Sequence, residues 1–182
     1  FYTTALNSYI KFLCMGLLML IPAISVIFPI MINESYADAK QLVPYYLLAT
    51  IVSCISSFFG NIFTAIKKNN VLFYTTVAGS VVNVVSVHLL LPIVGVQGAS
   101  IALFLGFMVN NTIRAYLLKK EIQVSIDLKF IIAWAIVYIG VSYIYLHANA
   151  VINILTVFAG GLLTLFVFRK ELKEILGTIK NR

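Results

Sequence analysis

The residues Leu89-Leu90-Leu91-Pro92-Ile93-Val94-Gly95-Val96-Gln97-Gly98-Ala99-Ser100 sit inside an uncharged run from Val71 to Ile113. That run is about twice the roughly 20 residues that one membrane-crossing helix needs, so it must fold back on itself. Pro92 has no backbone donor and pushes Leu91 off helical angles, while Gly95 and Gly98 supply the freedom a tight reversal requires. The stretch is expected to end one span at Leu91 and launch the next at Gly98, fixing the angle between two antiparallel helices.

The texture on either side of this turn is the same. Hydrophobic residues make up 62% of the chain and charged ones 10%, with a mean hydropathy of +1.02. So few charges could not keep so much apolar surface in water, and the expected class is an all-α polytopic membrane protein. Uncharged runs give six spans, Phe12 to Ile32, Gln41 to Ile66, Val71 to Leu91, Gly98 to Leu118, Phe130 to Leu146 and Val151 to Phe168. Residues 1–168 thus read as one six-span lobe. The tail from Arg169 to Arg182, alternating Lys and Glu with Leu172, Ile175, Leu176 and Ile179, reads as a cytoplasmic amphipathic helix. The chain opens on Phe1, and its first apolar run is long and lacks a small-residue cleavage site, so a piece of a longer protein is expected.

The formal charge of +7 comes from basic residues that punctuate apolar runs and form no groove-sized patch, which argues against nucleic acid. Of the 13 Lys and Arg, the alternation of spans puts 12 on one side and leaves Lys40 on the other. Cytoplasmic loops retain basic residues, so both ends of the chain are expected in the cytoplasm, with the loops at Asn33 to Lys40, Pro92 to Gln97 and His147 to Ala150 outside. Lys119 to Lys129 is then an inner connector.

Polar residues inside the spans fall on helical stripes. Ser53, Ser57, Asn61 and Thr64 share one face of span two, and Thr76, Gly79, Asn83 and Ser86 share one of span three. Such faces serve either as helix-to-helix glue or as the wall of a wet cavity. In span four, Gly98, Ala102, Gly106, Asn110 and Arg114 recur at four-residue steps, small in one half and polar in the other. Arg114 has two readings, a guanidinium turned into the bundle or one that snorkels to the headgroups beside Lys119. His88 reads as an interface or packing residue. Pro22 and Pro29 in span one read as a packing kink or a hinge. Trp134, Tyr138, Tyr143 and Tyr145 suit interfacial positions. Cys14 and Cys54 read as inert packing residues with no partner at ligand spacing.

Little in the sequence can do bond chemistry. No Asp or Glu lies in a span, the histidines are His88 and His147, and no metal-binding, nucleophile-elbow or phosphate-loop motif occurs. The expectation is a protein that is no enzyme, with no catalytic residue, metal or cofactor. Polar stripes on several helices suit binding or moving a polar substrate through the membrane.

Four short motifs occur in order. These are Tyr36, Ala37 and Ala39; Leu42-Val43-Pro44; Ala65-Ile66-Lys67-Lys68; and Leu91-Pro92-Ile93-Val94-Gly95-Val96-Gln97-Gly98-Ala99-Ser100. Together they resemble the polysaccharide transporter branch of the multidrug, oligosaccharidyl-lipid and polysaccharide exporter (MATE-like) superfamily, which includes the O-antigen flippases. The resemblance covers about Phe12 to Lys120. Ser100 stands where the family usually has a second alanine, and Asn33 or Glu34 where it often has a glycine. The resemblance implies that this chain is similar to the C-terminal six-helix lobe of a two-lobed transporter in the bacterial inner membrane. It further implies alternating-access transfer of an undecaprenyl-diphosphate-linked oligosaccharide for O-antigen, capsule or other polysaccharide synthesis. The missing N-terminal half would be its partner, beside membrane lipid and the lipid-linked substrate.

Sugars need hydrogen-bonding walls and a diphosphate needs cations. The stripes themselves, not a family motif, nominate Asn61, Asn83, Asn110 and Arg114, with Lys67 and Lys68 at the inner mouth. Pro92, Gly95 and Gly98 are assigned a structural role. Two competing readings are a polyprenyl-phosphate-dependent membrane transferase, which lacks a visible acidic or His site, and the six-helix domain of another transporter class, whose intracellular loops would be expected longer.

Overall fold

A computed structural model describes residues 2–33, 39–122 and 125–169. Six helices follow one another: α1 (Tyr2–Met31), α2 (Val43–Ala65), α3 (Asn69–Val94), α4 (Gln97–Ile122), α5 (Leu128–His147) and α6 (Ala150–Val167). All six are long and apolar enough to cross a membrane, and no strand occurs among the described residues. The protein is an all-α polytopic membrane protein.

α1, α3, α4 and α5 overrun the expected spans because a charge ends a hydrophobic run without ending a helix, whereas α2 falls short of its expected span at both ends and α6 is shifted by one residue. α1 begins at Tyr2 and carries Lys11 within it, and its 30 residues extend about 45 Å, well beyond the roughly 30 Å hydrocarbon core. It continues through both Pro22 and Pro29. Much of the expected inner connector is helix as well, since Lys119, Lys120 and Glu121 belong to the last turns of α4. The Arg169 to Arg182 tail, Arg169 apart, and Tyr36 and Ala37 lie outside the described residues.

The turn between α3 and α4 differs from expectation at Pro92. This residue lies inside α3, which runs on to Val94. A proline in the last turn removes only the bond that the carbonyl of His88 would accept, and the helix survives that loss for a few residues. The reversal itself is made by Gly95, whose φ of 64° and ψ of −148° fall near a region that only glycine visits readily. Gly98 sits against the end of α3, where a Cβ would lie 2.8 Å from the Leu90 carbonyl carbon.

α4 packs along α3 and against α2, while α1 packs against α6, α5 and α2. The apolar core is the face of α1 bearing Leu6, Ile10, Cys14, Leu17 and Ile21, set against Phe59 and Phe63 of α2 and Leu118 of α4. The steps of three and four residues along α1 keep this face on one side of the helix. Trp134, Tyr138 and Tyr145 of α5 join this core and are turned away from the lipid-facing surface. Their polar tips bind backbone carbonyls: Trp134 Nε1 donates to Cys14 O at 2.8 Å, Tyr138 to Pro44 O at 2.5 Å and Tyr145 to Lys40 O at 3.2 Å. Of the four aromatics expected at interfaces, Tyr143 is the exposed one.

The two ends of the bundle are chemically different. At one end Lys68 Nζ pairs with Glu121 Oε1 at 2.6 Å and Lys11 lies over the Phe130 ring. Here Asn7 ties α1 to the start of α5, donating to Ser125 O and accepting from the Asp127 N–H. At the other end Gln97 donates to Gln41 at 2.9 Å, beside Lys40 and Tyr145. The first is the Lys67 end of the bundle and the second the Gly95 end.

Candidate functional site: a buried guanidinium between three helices

Gly98, Ala102, Gly106, Asn110, Arg114 and Leu118 are all buried on one face of α4. That face meets α3 through Gly79, and no side chain separates the two backbones at the Gly79–Gly106 crossing. Close approach of this kind is what small residues permit between helices in lipid. It draws α3 and α4 together about Asn83, Asn110 and Arg114.

Arg114 turns inward. Only 6% of it is exposed, which decides between the two readings left open by the sequence. Its Nη1 donates to the carbonyl and hydroxyl oxygens of Ser56 at 2.7 and 2.9 Å. Nε donates to Thr75 Oγ1 at 2.9 Å, and Nη2 to Thr76 Oγ1 at 3.0 Å. The Thr75 hydroxyl accepts from the guanidinium while donating to Val71 O at 2.8 Å, so both of its roles are filled. Gly60 faces the guanidinium, and a Cβ there would stand in ordinary van der Waals contact with Nη1 at 3.6 Å.

Every one of these partners is neutral. Among the described residues, Glu121 is paired with Lys68 and Asp127 caps α5 by accepting from the Phe130 N–H. A buried cation surrounded by hydroxyl and carbonyl dipoles is solvated, yet it is not neutralised, and it remains attractive to an anion.

One turn of α4 away, Thr76, Ser80, Asn83 and Asn110 line a cavity of about 70 Å³ floored by Gly79 and Gly106. The Oδ1 atoms of Asn83 and Asn110 are buried there without a hydrogen-bond partner. Buried amides left unsatisfied cost free energy and are met by water or a ligand. Thr76 belongs both to this cavity and to the guanidinium's set of acceptors. The cavity and the cation therefore form one continuous polar site.

Compared with protein-family models, with curated proteins and with solved structures, the chain has no match. The site must be read from its own chemistry.

Asn83, Asn110 and Arg114 come together, whereas Asn61 does not. Asn61 lies on an exposed face of α2 with Ser57 and Thr64, whose hydroxyls donate to their own helix at Ser53 O and Gly60 O. The residue of α2 that meets Arg114 is Ser56. The stripe from Ser53 to Thr64 concealed it, although Val52, Ser56 and Gly60 form an equally regular four-residue row. Thr75 and Asn111 were also missed; Asn111 Nδ2 donates to Val52 O at 2.8 Å and fastens α4 to α2 beside the site. Lys67 and Lys68 form the α2–α3 turn. Lys67 is held at a φ of 60°, with the Lys68 N–H closing the helix end on Phe63 O. Since Lys68 is engaged by Glu121, the pair contributes to the turn and stands apart from the guanidinium. No group of three or more His, Cys, Asp or Glu that could hold a metal occurs among the described residues.

Proposed function

We propose that this chain is a lobe of a membrane transporter that carries a polar, anionic, lipid-linked substrate between leaflets, with Arg114 as the cation that receives its phosphate groups. The observation that carries this reading is the buried guanidinium with neutral partners, joined through Thr76 to a cavity holding unsatisfied amides. Ionisable residues at membrane depth are costly and mark substrate pathways, and a guanidinium fork matches phosphate oxygens. Asn83, Asn110 and Ser80 supply the mixed donors and acceptors that sugar hydroxyls require.

The ordered motifs from Tyr36 to Ser100 support the more specific substrate, an undecaprenyl-diphosphate-linked oligosaccharide flipped for polysaccharide synthesis in a bacterial inner membrane. In this reading the Lys67 end is cytoplasmic, and a second six-helix lobe faces α3 and α4. Cells lacking the intact gene are expected to accumulate lipid-linked repeat units on the cytoplasmic face of the membrane. Export of those units at the normal rate in such cells removes the proposal.

A further inference from the structure

Arg114 presents its charge to the α3–α4 groove through one hydroxyl. A guanidinium has five N–H donors. Nε gives its donor to Thr75, Nη1 gives two to Ser56, and Nη2 gives one to Thr76. The second N–H of Nη2 meets no acceptor among the described residues. Thr75 and Ser56 are buried, whereas Thr76 is exposed and lines the groove. The hydroxyls of Thr50, Ser57, Thr64, Thr75 and Thr112 are spent on carbonyls of their own helices. That of Thr76 donates to none of the described residues, while its oxygen accepts from Nη2 at 3.0 Å. A hydroxyl that accepts from a cation is a strengthened donor, and this one is unused.

We infer that the Thr76 hydroxyl and the remaining N–H of Nη2 are the paired donors on which a phosphate group docks, and that the hydroxyl-bearing substituent of that phosphate runs on toward the Gly95 end. This role for Thr76 rests on Arg114 being the substrate's cation and adds to it the contacting hydroxyl and the direction of the ligand. The two donor atoms are 3.0 Å apart, close enough to reach the oxygens of one phosphate. Farther along the groove the chemistry reverses. A Cβ on Gly79 would lie 3.1 Å from Asn110 Cβ, and one on Gly106 would lie 2.9 Å from Asn83 Cβ, so Asn110 stands level with Gly79. At 1.5 Å per residue along α3, Asn110 and Asn83 are about 5 and 10 Å beyond Thr76. Their buried Oδ1 atoms lack donors. An ionised phosphate offers only acceptors and finds no match there, whereas alcohol hydroxyls do. No carboxylate lines the groove to compete for the cation. Donors at Thr76 and acceptors at Asn110 and Asn83 thus fix the polarity of a bound sugar phosphate, with the phosphate nearest Thr76 and the ring hydroxyls beyond it.

The test is titration calorimetry of the purified chain in detergent with inorganic pyrophosphate and with glucose 1-phosphate. The wild type is expected to bind both. Thr76→Val, which keeps the shape and removes the hydroxyl, is expected to weaken both about tenfold, and Thr76→Ser to stay within about twofold of wild type. Asn83→Ala, which keeps the Cβ beside Gly106, is expected to weaken glucose 1-phosphate more than pyrophosphate. Thr76→Val binding as tightly as wild type or more tightly, or Thr76→Ser binding as weakly as Thr76→Val, would overturn the role of Thr76; loss of binding in Arg114→Met would then leave the cation's role standing. Binding that survives Arg114→Met, or none by the wild type, would overturn both. Equal losses of the two ligands in Asn83→Ala would overturn the direction. Displacement of glucose 1-phosphate by an equal concentration of phosphatidylglycerol would overturn the sugar and make an ordinary lipid the source of the phosphate.

Discussion

Gly79 and Gly106 touch backbone to backbone: a Cβ on Gly79 would lie 2.8 Å from the Gly106 carbonyl oxygen, and one on Gly106 would lie 2.7 Å from that of Gly79. Contacts that short cannot be relieved by rotating a side chain. Gly106→Ala is therefore expected to push α3 from α4 and cost about 1–3 kcal/mol, as overpacking does, with a lower melting temperature in detergent. The change also separates Asn83 from Asn110, so substrate movement should fall further than stability. An unaltered melting temperature would show that the crossing is looser than this contact requires.

Arg114→Met tests the site. Replacing a buried charge by an apolar side chain of similar length is often neutral or stabilising, and the hydroxyl of Thr75 keeps its bond to Val71 O. Stability is expected to change by no more than about 1 kcal/mol, while flipping falls at least about tenfold through the lost charge-assisted contact. Arg114→Lys should recover little, because an ammonium cannot bridge Ser56, Thr75 and Thr76 at once. Thermal melts paired with flipping assays in vesicles separate the two effects.

The α2–α3 turn yields a stabilising change. Lys67 is the one non-glycine residue with positive φ among the described residues, in the position after a helix where glycine is favoured. Lys67→Gly is expected to raise stability by about 1 kcal/mol. Lys68→Gln, which removes the half-exposed pair with Glu121, should cost no more than about 1 kcal/mol, and less at high salt. Denaturation of both variants at two salt concentrations checks the assignment.

Orientation is open to direct measurement. Single cysteines at Asn33 and Asn69, in a background lacking Cys14 and Cys54, are expected to react with an impermeant reagent from opposite sides, Asn69 from the cytoplasm. Labelling of both from one side would contradict the proposed topology.

The stripe along α4 was legible because small and polar residues at four-residue steps stand out against an apolar background, and burial of that face makes the step meaningful. Ser56 was not, since serine and threonine often serve their own helix, and the more polar row of Ser57, Asn61 and Thr64 does so on an exposed face. Pro92 misled for a related reason: its cost in a final helical turn is one hydrogen bond, too little to stop α3 where it stands. The aromatics of α5 carried an unread signal. Trp134, Tyr138 and Tyr145 lie four and seven residues apart, which is one helical face, and their buried N–H and O–H groups find carbonyl partners. Residue type alone did not reveal that they are buried.

The core built on α1 has a consequence for synthesis. The helices that pack most extensively along α1, α6 and α5, are encoded about a hundred residues later, and Trp134 reaches back across 120 positions to bind Cys14 O. At ribosomal speeds of about 5–20 residues per second, α1 would wait roughly 5–20 s in the bilayer for those partners. Over that interval its Ser8, Ser25 and prolines face lipid or the insertion machinery. The step that ends the exposure of this face of α1 to quality control is thus the arrival of α5, well after α1 itself has entered the membrane.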